Sequence, residues 1–78
     1  MKIQKAIELF KRGELDEVEV ELRRSPNNLS QWFILLRHPD GKSLMLADED
    51  DRCVVDADIQ NLLDLLKTIG FHQVMVIF

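Results

Sequence analysis

The chain has 78 residues, a formal net charge of -4 and a sequence pI near 5.0; a chain of this size closes one hydrophobic core, and residues 1–78 are expected to form a single domain. No long-range positive field draws it onto a polyphosphate backbone, which disfavours nucleic acid as the main partner. Cys53 is the single cysteine, which excludes an internal disulfide and, beside 31% charged residues, suits a reducing cytoplasm.

The opening Met1-Lys2-Ile3-Gln4-Lys5 lacks the continuous apolar run of a signal peptide or membrane span, so an unprocessed cytoplasmic chain without membrane contact is expected. Domains this small usually gain stability from disulfides, a metal or self-association. With one thiol, self-association leads.

Ile3, Ala6, Ile7 and Phe10 recur at i, i+3, i+4, i+7 and predict a first helix, ended at Gly13. Glu17 to Leu22 alternates strictly, predicting a strand whose Val18, Val20 and Leu22 face a core while Glu17, Glu19 and Glu21 face water or a cationic partner. Arg23 to Ser30 contains Ser25-Pro26-Asn27-Asn28 and reads as a loop. Trp32 to Leu36, then Asp40-Gly41, then Ser43 to Leu46 predict a hairpin closed at Asp-Gly. Ala47 to Arg52 is polar enough for a solvated connection. Asp56 is the expected N-cap of a second helix, striped by Ile59, Leu62, Leu63, Leu66 and Ile69 and ended by Gly70, with Phe71 folding back on Leu66. Val74 to Phe78 closes the chain as a strand. The expected fold is α+β, in the order α-β-β-β-α-β, with a mixed, mainly antiparallel four-stranded sheet packed on two helices.

Catalytic templates fail on this chain for stated reasons. Gly41-Lys42-Ser43 imitates the end of a phosphate loop, but the glycine such a loop needs earlier falls at Leu36, inside a strand. Asp48, Glu49, Asp50 and Asp51 offer hard oxygens without the alternation, central glycine and closing glutamate of a calcium loop. His38 and His72 have no partner at zinc spacing, Cys53 adjoins Val54 and Val55 with no base identifiable, and Ser30 and Ser43 lack flanking glycines. No catalytic, cofactor-binding or metal-binding residue is assigned, no cofactor is expected, and a non-enzymatic chain is the expectation. An enzyme assembled across a dimer interface would leave no local motif and is the third reading.

The informative feature is a surplus of apolar side chains. If Trp32, Ile34, Leu36, Leu44, Leu46, Val74, Val76 and Phe78 join Val18, Val20 and Leu22 against the helices, alternation puts Phe33, Leu35, Met45, Met75 and Ile77 on the other face. These five are the candidate protein-interface residues, contiguous if their strands are neighbours. Alternatively the two helices cover opposite faces and bury both.

Trp32-Phe33-Ile34-Leu35-Leu36, Asp40-Gly41-Lys42-Ser43 with Leu44 and Leu46, and the leucine-rich helix ending Ile69-Gly70-Phe71 together resemble small uncharacterised accessory proteins encoded on plasmids and integrative elements. The resemblance implies an accessory role on a mobile element and supplies no catalytic residues. Two functional classes lead. The first is a non-enzymatic interaction module, a homodimer or an accessory subunit of another protein, working through the second sheet face. The second is a nucleic-acid-binding accessory, with Phe33 for stacking and Arg23, Arg24, Arg37 and Lys42 for phosphate.

Overall fold

Two stripes of apolar residues at helical spacing and three alternating runs must share one core, and the fold does so by stacking both helices on one side of a sheet. The computed structural model describes residues 1–78. In chain order the elements are α1 (Ile3–Lys11), β1 (Glu19–Ser25), β2 (Asn28–Arg37), β3 (Ser43–Met45), β4 (Val55–Asp56), α2 (Ile59–Ile69) and β5 (Met75–Ile77). This is the expected single α+β domain with one addition. The sheet has five strands rather than four, because the two-residue β4 pairs with β2 beyond the end of β3.

The sheet runs β3-β2-β1-β5, with β4 also on β2. β1 and β2 are antiparallel, with Val20 opposite Leu36 and Leu22 opposite Ile34, while β5 lies parallel to β1 with Val76 beside Leu22. The expected loop at Arg23 to Ser30 is instead the end of this hairpin: both strands continue, and the chain reverses at Pro26-Asn27. Proline and asparagine do mark a turn, but a tight one, and the strand hydrogen bonds on either side outweigh the polar composition.

Ala6 of α1, Leu62, Leu66 and Ile69 of α2, and Val20, Leu22, Trp32, Ile34 and Leu36 of the sheet belong to one buried cluster, completed by Leu15, Leu46 and Phe71. Both helices therefore lie on the same face, with α2 packed on β2 and β4 and α1 packed on α2. The alternative with helices on opposite faces is not adopted. Leu44 and Phe78, expected inside, are exposed; the Phe78 ring meets Trp32 edge-on at 6.0 Å from the border of the domain.

Each helix stop is set locally. Gly70 ends α2 at φ 129°, and its amide and that of Phe71 both donate to the Leu66 carbonyl. A side chain at Gly70 would also overlap the Phe10 ring, 2.5 Å from the nearest ring carbon, so glycine allows α1 and the end of α2 to meet, with Phe10 and Phe71 edge-to-face at 5.1 Å.

The N-cap of α2 is Asp58, which accepts from the Gln60 amide, rather than Asp56. Asp56 accepts instead from the Asp58 amide and the Asn61 side chain, two contacts that favour its charged form and hold its pKa below the ordinary aspartate value.

The solvated connection expected at Ala47 to Arg52 holds from Asp48 onward but not at Ala47. Ala47 is buried and bridges both Lys2 and Cys53, and the Met1 amino group donates to the Met45 carbonyl at 2.8 Å. The first residues thereby run beside the end of β3, while the outer edge of β5 has no neighbour. No helix is long and apolar enough to cross a membrane.

Candidate protein interface

Because strand side chains alternate, every residue of β1 and β2 that does not meet the helices points to the other face. The pairing register places those residues in rows. Glu19 lies opposite Arg37, which lies opposite Ser43. In the next row Met75, Glu21, Leu35 and Met45 follow one another across the sheet, and in the third Ile77, Arg23, Phe33 and Val55. All five candidate interface residues share this face. None of them belongs to the buried cluster or packs against it.

They are not one uninterrupted patch. β1 runs between β2 and β5, and its residues on this face are Glu19, Glu21 and Arg23. Phe33, Leu35 and Met45, joined by Val55, form an apolar area over β2, β3 and β4. Met75 and Ile77 form a second strip on β5, across the polar column. Met45 and Met75 remain 51% and 57% exposed, and Val55 41%, all on outer strands of the sheet, while Phe33 and Leu35 on β2 are half-buried.

Glu21 changes the character of the column. It was expected to face water or a cationic partner with Glu17 and Glu19, yet it is only 5% exposed, while they stay in solvent. One carboxylate oxygen accepts from Arg23 through Nε at 2.9 Å and a terminal nitrogen at 2.8 Å, and from Arg37 at 3.2 Å. The cationic partners are its own neighbours: Arg23 two residues along the strand, and Arg37 diagonally across on β2. A charge removed from water is costly unless paired and hydrogen-bonded, and here both conditions are met inside the subunit.

The same contacts bear on the phosphate-binding reading. Arg23 and Arg37 are engaged by Glu21, and Arg24 lies 4.6 Å over the Trp32 ring while donating to the Leu29 carbonyl. Of the cations named for phosphate, Lys42 alone has no side-chain partner, and it sits on the turn beyond β2 rather than on the face. Phe33 has no second aromatic beside it on this surface.

The remaining reactive groups are dispersed. Cys53 places its sulfur 3.8 Å from that of Met45, and partial burial pushes its thiol pKa up, only partly offset by the Met1 ammonium, so the thiol is not activated as a nucleophile. Asp48 organises its own turn, accepting from the amides of Asp50 and Arg52, with Asp51 at φ 65°. His38 has a buried Nε2 without a hydrogen bond, and His72 is exposed beside an open groove of about 810 Å³ lined by Asp16, Glu17, Glu19 and Val74.

Comparisons with protein-family models, curated proteins and solved structures find no match to this chain. Sequence reasoning missed Val55, whose strand is too short to show alternation, and the arginine pair around Glu21. The second had a signal: Glu21 and Arg23 stand two apart on one strand, provided the strand is carried past Leu22.

Proposed function

We propose that this chain is a non-enzymatic protein-interaction module that works through the helix-free face of its sheet. The observation that carries this reading is the face itself: Phe33, Leu35, Met45, Met75 and Ile77 lie on it with no element of the subunit above them, and Met45 and Met75 are more than half exposed. Leaving such side chains in water forfeits about 25 cal/mol for each Å² of apolar surface, which a docking partner recovers. The methionines are flexible enough to fit a partner of imperfect shape. An accessory subunit and a homodimer both use the surface in this way.

The polar column does not oppose docking. Glu21 has already left water in the free subunit, so covering it removes little further hydration.

Sedimentation velocity and binding measurements on the full chain test the reading through Leu35→Glu, which sets a second carboxylate directly opposite Glu21 in the middle of the face. The wild type should form a complex, with itself or with another protein, that the variant loses while keeping its circular dichroism. A folded variant that sediments and binds as the wild type does ends the proposal.

A further inference from the structure

The rows of the open face are complementary to themselves, and from this we infer that the partner is a second copy of the chain, docked face to face about a two-fold axis parallel to the strands between β1 and β2. The inference rests on the interaction reading above and adds the occupant and its register. Such an axis exchanges β1 with the partner's β2, and β5 with the partner's β3 and β4. Each row then meets itself reversed. Glu19 faces the partner's Arg37, Glu21 faces the partner's Leu35, Arg23 faces the partner's Phe33, Met75 faces the partner's Met45, and Ile77 faces the partner's Val55. Sheets packed in this way keep their strand directions within about 30° and stand about 10 Å apart, so the pairs nearest the axis are held most closely to this register.

Charge selects this arrangement. Glu19 is exposed and has no ion-pair partner in its own subunit, whereas Arg37 is 45% exposed and spends a single nitrogen on Glu21. The axis delivers each of these to the other, twice per dimer. Arg23 presents its guanidinium to an aromatic face, a contact that strengthens as water leaves. On the outer strands Met45 and Val55 are covered by the partner's Met75 and Ile77, while Phe33 and Leu35 lie over the partner's polar column. A two-fold axis across the strands at the level of Glu21 would bring Glu19 over the partner's Arg23, but it would also set Glu21 on the partner's Glu21 and take Arg37 onto the partner's Phe33. Shifting that axis toward Arg23 would bring Glu21 over the partner's Arg23, but it carries Glu19 and Arg37 past the register break at Arg24/Ser25, where neither meets a charged partner.

Cross-linking reads the register directly. In a Cys53→Ser background, Met45→Cys and Met75→Cys chains are mixed and treated with a short bismaleimide, because a separation of about 10 Å is too wide for a disulfide, which needs Cα atoms within about 7 Å. The mixture should give covalent dimers, and neither variant alone should, since like positions lie about three strand spacings apart across the dimer. Glu19→Arg should weaken the dimer roughly tenfold or more by setting two like pairs in contact, and mixing it with Arg37→Glu should restore association, since both pairs are then opposite in sign.

A dimer that fails to cross-link in the mixture overturns the register, and with it the inference. If Leu35→Glu still dissociates that dimer, the face remains the interface; if it does not, the copies join elsewhere, such as along the open edge of β5. A wild-type chain that sediments as a monomer at every concentration also overturns the inference, and the interaction reading then survives only if Leu35→Glu abolishes binding to a different protein.

Discussion

Ile34 and Leu35 are adjacent on the same strand and nearly the same size, yet they belong to different environments. Ile34 is wholly buried between the strands and the helices, and Leu35 stands between Glu21 and Met45 on a face that nothing in the subunit covers. The two sides of this sheet differ little in greasiness along β2. They differ in what lies over them, because α1 and α2 are enough for one layer and both went to the same side. The helix-covered side makes the fold, and the open side is left without a layer of its own.

The largest expected effect sharpens that contrast. Ile34→Ala should cost about 3 kcal/mol of unfolding free energy through lost burial and a residual cavity. Leu35→Ala should cost less than about 1 kcal/mol when the chain is monomeric. Chemical denaturation of both variants at low protein concentration makes the comparison, and equal losses would mean that the open face is packed within the subunit after all.

Glu21 sits on the boundary between the two regimes, buried like a core residue but on the uncovered side. Glu21→Gln removes the charge that gathers Arg23 and Arg37, and the expected cost is about 2 kcal/mol. It falls below that of a fully buried pair because the arginine side chains are 37% and 45% exposed and partly screened by solvent. A loss within experimental error would mean that the cluster is an ordinary surface pair.

The smallest effect lies on the covered side, where Asp56 ties β4 to the first turn of α2. Its pKa is depressed by the Asp58 amide and the Asn61 side chain, so its contribution is fully present above the unfolded value and is lost as pH falls through the lower folded value. Thermal melts of wild type and Asp56→Asn should therefore differ at neutral pH and converge below about pH 4. A constant difference down to strong acid would show that the carboxylate charge is not what these contacts stabilise.

Much of the covered side was legible in the chain. The stripes Ile3-Ala6-Ile7-Phe10 and Ile59-Leu62-Leu63-Leu66-Ile69, the Asp40-Gly41 hairpin and the stop at Gly70 are signals that neighbours a few residues apart impose on each other. Composition misled where a local cue had two readings. Ser25-Pro26-Asn27-Asn28 names a turn without saying how tight, and Asp56 and Asp58 are both able to cap a helix, of which the backbone at Asp58 accepts one.

Alternation was sufficient by itself to put Phe33 and Leu35 on the side away from Ile34, Met45 away from Leu44 and Leu46, and Met75 and Ile77 away from Val76, because a strand turns successive side chains to opposite faces whatever its neighbours are. Which strands stand side by side is not written in that period. Only the tertiary pairing set β1 between β2 and β5, parted the methionines, drew Arg37 to Glu21 and left the helices on one layer, since those choices depend on hydrogen bonds and packing between segments far apart in the chain.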